Sequence, residues 1–160
     1  MLLSKFILFC TLLMTNLITI SVAADLTKEE IFDLERSKFE VKRKNTIEST
    51  LNLTDETGKK FWPLYHAYRA EVKIIDDIAL SHVKDYAAAY NKGSVSNEQA
   101  ALLLDEFLKI DQDRLELKAI YIEKFKRLFP ATLVWRYFHT EDRLDTTLRF
   151  LFVNEVPLVK

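Results

Sequence analysis

The sequence is poor in residues that break regular structure or form cross-links. Its 160 residues include two glycines, three prolines and one cysteine. A β-sandwich or an α/β fold needs more turn residues than these glycines and prolines supply. The single cysteine, Cys10, lies near the N-terminus, so no disulfide can form within the chain. These absences predict an all-α protein that is held together by burial of apolar side chains.

Neither sign of charge dominates, because 23 Lys and Arg residues face 24 Asp and Glu residues. Nucleic-acid-binding proteins usually carry a strong basic excess, so we expect no nucleic-acid partner. The sequence also lacks a glycine-rich phosphate loop and a GxSxG motif, and its carboxylates stand beside basic residues, as Asp113 stands beside Arg114. We therefore predict a protein that is not an enzyme and needs no cofactor.

The first 24 residues have the pattern of a cleaved secretory leader. Lys5 supplies one positive charge, residues 6–20 are almost all apolar, and Val22, Ala23 and Ala24 are small residues that signal peptidase accepts. The apolar run is shorter than the roughly 20 residues that a membrane-spanning helix needs. An uncleaved N-terminal anchor is the alternative. We predict a signal peptide at 1–24, one helical domain at 25–160, a periplasmic location and no stable membrane anchor.

The longest uninterrupted helical pattern covers residues 96–129, which contain neither glycine nor proline. Ser96 and Gln99 have the spacing of a capping box at its start, and Pro130 ends it. Apolar side chains recur at steps of three, four or their sum, which places them on one face of a helix. These side chains are Leu103, Phe107, Ile110, Leu117, Tyr121, Phe125 and Leu128.

A second long helix is predicted from the cap residue Thr54 to a glycine stop at Gly93, with a bend at Pro63. Its apolar residues follow a 3.5-residue repeat, which is typical of a coiled-coil seam. They are Phe61, Tyr65, Tyr68, Val72, Ile75, Ala79, His82 and Tyr86. Because only residues 93–95 separate the two helices, we expect them to be antiparallel neighbours.

Two further helices flank this predicted hairpin. The first should begin at the cap residue Thr27, end near Leu51 and lie on the surface, because its apolar residues are sparse. Its basic residues 42–44 are interpreted as a solvated helix face rather than an anion site. The last helix should have Pro130 as its first residue (N1) and a shared apolar face. The predicted fold is therefore all-α, with four helices built around a long antiparallel helical hairpin.

The three histidines are weak candidates for metal ligands. His66 and His82 are separated by sixteen residues, or about 160° around one helix, and His139 has no acidic partner at the helical i, i+4 spacing. We therefore predict no metal site within one chain, although a dimer could bring histidines together. His82 lies on the apolar seam, where we expect a core histidine bonded to a tyrosine or a backbone carbonyl.

Aromatic residues are numerous for one small helical domain. Most must lie in a core, but a thin hairpin cannot bury them all, and apolar surface that remains exposed marks a binding site. Dimerisation is an equally good explanation of such a surface. The aromatic residues that we name as candidates for client binding are Phe61, Trp62, Tyr65, Trp135, Tyr137 and Phe138.

Two short motifs, at 53–57 and 95–99, are similar to each other. They resemble the LTxxQ signature of the exported Spy and CpxP family, which includes zinc-resistance-associated proteins. Within this family the chain looks most like uncharacterised exported members. It departs from the signature at Thr57, which replaces a glutamine, and at the second copy, which begins Val-Ser instead of Leu-Thr. The resemblance implies that the matching residues cap helices and close the hairpin. These residues are Leu53, Thr54, Val95, Ser96 and Gln99.

The resemblance implies a cradle-shaped helical homodimer in the periplasm that binds partners without ATP. We therefore expect a chaperone-like or envelope-stress-associated protein, whose partners are unfolded protein clients or an inner-membrane sensor protein. A metal-responsive protein of the zinc-resistance type is one alternative. A purely structural envelope protein is another, and it would have no accessible apolar groove.

Overall fold

The computed structural model describes residues 28–93 and 95–153. These ranges form four helices: α1 (Lys28–Leu51), α2 (Asp55–Asn91), α3 (Asn97–Lys126) and α4 (Ala131–Val153). They contain no strand, so the prediction of an all-α fold is confirmed. None of the helices described is long and apolar enough to cross a bilayer. The predicted leader and the predicted cap residue Thr27 lie outside the described residues.

Contacts divide the chain into two compact units, with the boundary between Phe39 and Glu40 inside α1. In the described part of the first unit, Lys38 pairs with Glu35 at 2.7 Å on the helix surface. The second unit contains the rest of α1 and all of α2, α3 and α4. It also contains the hydrophobic core.

Helices α2 and α3 form an antiparallel hairpin. They have 37 and 30 residues, which corresponds to lengths of about 55 and 45 Å. The Tyr68 and Tyr121 rings lie 5.0 Å apart. Further along, Arg114 on α3 pairs with Asp76 on α2 at 2.7 Å. From the first contact to the second, the residue number rises on α2 from 68 to 76 and falls on α3 from 121 to 114. The two helices therefore run in opposite directions, and the predicted antiparallel pairing is confirmed.

Local capping explains where the hairpin helices begin and end. The Thr54 hydroxyl accepts a hydrogen bond from the Thr57 amide at 3.3 Å. Ser96 accepts from the Gln99 amide, and the Gln99 side chain accepts from the Ser96 amide, so the predicted capping box is present. Gly93 has a φ of 106°, a left-handed conformation that favours glycine and ends α2 as predicted.

The predicted seam is buried at one end of the hairpin and becomes exposed toward the other. On α2, Tyr68 and Val72 are buried, whereas His82 is only half-buried. On the predicted helix 96–129, Phe107 and Leu128 were expected on the buried face but are exposed. Phe107 lies one turn before Asp111, which contacts Arg149 on α4, and Leu128 lies in the turn after α3, so the expectation is wrong at both positions.

Helices α1 and α4 complete the core at the base of the hairpin. The prediction that α1 lies only on the surface is wrong for its last turns, because Ile47 and Leu51 are buried in the core cluster. Here the aromatic rings of the other three helices give α1 an apolar surface to pack on. The Pro130 carbonyl accepts a hydrogen bond from the Val134 amide at 3.2 Å, so Pro130 caps α4 from one residue before the predicted position.

Candidate functional site

Four of the six aromatic residues named as candidates for client binding belong to the core. Phe61 lies with its ring 5.4 Å from the Phe125 ring, and Tyr137 lies 4.7 Å from Phe138. Tyr65 packs against Tyr137 at 6.0 Å. All four candidates are buried. They offer no surface to a client in this fold, because the rings of α2, α3 and α4 cover one another.

The two tryptophans keep accessible surface. Trp135 on α4 is 70% exposed, and its ring stacks on the His139 ring with centroids 5.3 Å apart. Trp62 is half-buried and meets Phe61 edge to face, while the Lys44 ammonium lies 5.2 Å from the centre of its ring. The aromatic candidates that a partner can reach are therefore these two.

Trp62 also lines a groove between the end of α1 and the start of α2. The groove has a volume of about 550 Å³, which is within the range of small-ligand pockets. Its lining mixes the carboxylates of Glu48 and Asp55 with the ammonium of Lys59. Asn52 ends α1 beside it in a left-handed conformation with a φ of 46°. The Thr54 hydroxyl in its lining belongs to the cap of α2, where it accepts from the Thr57 amide.

The structure separates the three histidines. His66 packs its ring on Tyr65, with centroids 5.3 Å apart, and His139 stacks on Trp135. The His82 ring nitrogen Nδ1 lies 2.9 Å from a Glu106 carboxylate oxygen across the hairpin. This carboxylate partner differs from the tyrosine or backbone carbonyl expected. Over the described ranges, no group of three or more His, Cys, Asp or Glu side chains is placed to hold a metal ion.

The residues of the two LTxxQ-like motifs act locally. Thr54, Ser96 and Gln99 make the cap hydrogen bonds and are solvent-exposed. Leu53 and Val95, which precede the caps, are half-buried, and Leu53 packs against the core. These side chains shape helix ends, and their arrangement provides no chemistry.

A buried charge network that was not predicted from the sequence joins α1, α2 and α4. Arg43 donates to a Glu141 carboxylate oxygen, and its second terminal nitrogen donates to Asp145 at 2.7 Å. Arg69 donates to Glu40 at 2.8 Å, and its other terminal nitrogen lies 3.7 Å from the same Glu141 oxygen. Both Arg43 and Glu141 are 1% exposed. Three helices are therefore connected through desolvated charges rather than through a solvated surface.

The interpretation of residues 42–44 as a solvated face is thus wrong for Arg43. Arg43 precedes the buried Ile47 by four residues, so both side chains lie on the stripe of α1 that meets the core. Glu141 follows Phe138 by three residues on the buried face of α4. This helical spacing is the sequence feature from which its burial could have been predicted. Burial raises the pKa of Glu141 above its ordinary value, although Arg43 and Arg69 oppose that rise.

An exposed apolar stripe lies on α3. It consists of Leu104, Phe107, Leu108 and Leu115, whose spacings of three, one and seven residues place them on one side of the helix. All four side chains are between 54% and 68% exposed. Large apolar side chains that stay in water along one helix face are typical of an interaction surface. We call this set the α3 apolar stripe.

Comparison with known proteins found no matching family model, no matching curated protein and no matching solved structure.

Proposed function

We propose that the chain is an exported, non-enzymatic binding protein whose α3 apolar stripe holds apolar segments of other proteins. The observation that carries this proposal is the exposure of Leu104, Phe107, Leu108 and Leu115 along one side of one helix. Removing such side chains from water is favourable at about 25 cal/mol per Å² of apolar surface. A partner that supplies apolar side chains therefore gains free energy by covering the stripe.

Unfolded protein is the partner that this surface suits best. The stripe is a convex helix face, so it recognises apolar side chains without requiring one fixed partner shape. Charged residues accompany it, including Asp105, Lys109 and Asp111, and their mixed signs favour no strongly acidic or basic client. The predicted leader and the Spy- and CpxP-like cap motifs support a chaperone-like role in the periplasm, with an inner-membrane sensor as the other partner class.

A matched pair of double variants tests this proposal. Leu104→Ser with Leu108→Ser removes half of the stripe, and Ile74→Ser with Ile78→Ser removes two comparably exposed apolar residues from α2. We expect the first variant to lose suppression of the aggregation of a denatured test protein, and the α2 variant to retain it. Both should melt like the parent chain, because all four side chains are largely exposed. Equal suppression by both variants would overturn the assignment to α3.

The two tryptophans that keep accessible surface, exposed Trp135 and half-buried Trp62, extend the same test. If client binding depends on apolar contact, Trp135→Ser and Trp62→Ser should each weaken suppression, and a chelator should leave suppression unchanged. Zinc should be titrated by calorimetry in parallel. Micromolar zinc binding that disappears when His66, His82 and His139 are replaced, without any effect on aggregation, would instead establish the metal-responsive alternative.

Self-association is part of the proposal, because an apolar stripe can pair with its own copy as well as with a client. A homodimer that uses the stripe would be in competition with clients. Sedimentation equilibrium of the parent chain and of the Leu104→Ser, Leu108→Ser variant measures this directly. A dimer that persists in the variant would place the dimer interface elsewhere on the chain.

A further inference from the structure

The carboxylates of α4 are all engaged by neighbouring helices. The helix carries three acidic residues, Glu141, Asp142 and Asp145. Glu141 and Asp145 accept hydrogen bonds from Arg43 of α1, and Glu141 is buried. Asp142 pairs with Lys118 of α3 at 3.3 Å. The negative charge of α4 is therefore directed at α1 and α3, where basic side chains compensate it.

The basic residues of α4 are arranged differently. Arg136 and Arg143 are exposed, and neither forms an ion pair with any residue that the structure describes. Seven residues separate them, so they lie on one side of the helix, two turns and about 10 Å apart. His139 lies one turn before Arg143 and is also exposed. The outer side of α4 is therefore basic, because the carboxylates of the helix are used elsewhere.

Trp135 lies on the same side of the helix. Its side chain is 70% exposed, and its ring stacks on the His139 ring with 15° between the two planes. Indole combines a large apolar ring with one N–H donor, and tryptophan is therefore enriched where a membrane meets water. We call Trp135, Arg136, His139 and Arg143 the α4 basic face.

We propose that the α4 basic face binds reversibly to the surface of membranes that contain anionic phospholipids. The lipid phosphates pair with the guanidinium groups of Arg136 and Arg143, and the Trp135 ring enters the interface between headgroups and acyl chains. A bilayer suits this face because an exposed helix is convex and a flat surface can contact it without a groove. An acidic protein segment would pair with the arginines but would leave the Trp135 ring in water. The proposal does not depend on client binding, since none of these residues belongs to the α3 apolar stripe.

The attraction has to come from this face rather than from the overall charge, because the chain has a formal net charge of −1. A basic residue close to an anionic membrane strengthens binding roughly fivefold, so Arg136 and Arg143 together contribute roughly thirtyfold. Salt screens charges that are exposed to water. We therefore expect membrane binding that is strongest at low salt and is reversed at high salt.

Vesicle binding tests the proposal directly. Trp62→Phe leaves Trp135 as the one tryptophan of the chain, so its fluorescence reports on the α4 basic face. With vesicles of phosphatidylcholine and phosphatidylglycerol at low salt, we expect the chain to sediment with the vesicles and the Trp135 emission to shift to the blue. Vesicles of phosphatidylcholine alone should produce neither effect. Equal binding to both kinds of vesicle, or binding to neither, would overturn the proposal.

Two double variants that remove the same charge locate the binding on the chain. Arg136→Gln with Arg143→Gln should weaken vesicle binding roughly thirtyfold, whereas Lys59→Gln with Lys92→Gln, at the two ends of α2, should bind nearly as the parent does. All four side chains are exposed, so both variants should melt like the parent. The chains share one N-terminus, so any binding through residues 1–24 is common to all of them. Equal loss in the two variants would overturn the assignment to α4.

Polyglutamate distinguishes a lipid surface from an acidic protein segment. We expect it to bind the parent chain more weakly than the anionic vesicles do and to leave the Trp135 emission unshifted. If polyglutamate bound through Arg136 and Arg143 while the vesicles did not bind, an acidic protein segment would be the occupant and the lipid assignment would be overturned.

Discussion

Arg43 and Glu141 are separated by 98 residues in the chain and form an ion pair in which both side chains are 1% exposed. The pair connects α1 to α4, and Asp145 and Arg69 extend the connection on either side. A buried charge that loses its partner is strongly destabilising, whereas replacing both charges with apolar groups is often nearly neutral. The network therefore constrains which substitutions the base of the hairpin tolerates.

In a double-mutant cycle on this pair, we expect the loss of one partner to cost more stability than the loss of both. Glu141→Leu alone should lower the free energy of unfolding by about 3–5 kcal/mol, because Arg43 loses its most buried partner. Arg43→Met combined with Glu141→Leu should recover most of that loss. Urea unfolding followed by circular dichroism measures both values. A double variant as unstable as the sum of the single variants would show that the two residues do not act as a pair.

An exposed ion pair provides the control for this cycle. Lys109 and Asp113 lie one turn apart on α3 with a 2.8 Å contact in solvent. Lys109→Met should change the free energy of unfolding by no more than about 0.5 kcal/mol, because exposed pairs contribute little.

Two buried tyrosines should respond in opposite ways to loss of the hydroxyl group. The Tyr137 hydroxyl is buried and has no hydrogen-bond partner among the residues described, whereas the Tyr121 hydroxyl donates to Glu71. Tyr137→Phe should leave stability unchanged or raise it, since it removes an unsatisfied polar group. Tyr121→Phe should cost about 1 kcal/mol. Chemical denaturation of both variants decides this, and a larger loss for Tyr137→Phe would contradict the prediction.

The same tyrosines predict sensitivity to alkaline pH. Burial, together with the hydrogen bond to Glu71 and its negative charge, raises the pKa of Tyr121 to about 12. Burial is also the largest cause that raises the pKa of Tyr65, Tyr68 and Tyr137 above the ordinary value of 10.0. The folded state therefore keeps protons that the unfolded chain releases above about pH 10.

The stability that depends on these tyrosines staying protonated is fully present below pH 10 and is lost as the pH rises above that value. Urea midpoints measured from pH 8 to pH 11 should fall steeply at the upper end, with tyrosinate absorbance appearing together with unfolding. The double variant Tyr65→Phe, Tyr68→Phe should show a shallower fall. A fall of equal steepness would mean that other groups control the alkaline transition.

The seam of the hairpin can be tested with neighbouring residues on α2. Val72 is 7% exposed and belongs to the core, whereas Ile74 is 62% exposed. Val72→Asp would bury an unpaired carboxylate and should cost about 3 kcal/mol or more. Ile74→Asp should change stability by no more than about 0.5 kcal/mol, because it is a surface substitution. A thermal midpoint that moved by only a degree or two in Val72→Asp would contradict the antiparallel seam.

The helices, their ends and the hairpin could be predicted because local interactions determine them. The capping box of Ser96 and Gln99 acts within one helical turn, and Gly93 ends α2 through its own backbone conformation. The heptad spacing of the α2 apolar residues requires a long partner, and the short connection leaves α3 as that partner. The number of helices and the pairing of the central two therefore follow from spacings along the chain.

Tertiary structure alone decided which of two similar residues is buried. Phe107 and Phe125 share a face of α3, yet only Phe125 is covered by α4, so only Phe107 is left for a partner. Likewise, Arg43 lies between two lysines in sequence and is the one of the three that is buried. Periodicity specifies the face of a helix that a side chain occupies. Whether that face meets water or another helix depends on contacts between residues that are distant in the chain, such as Arg43 and Glu141.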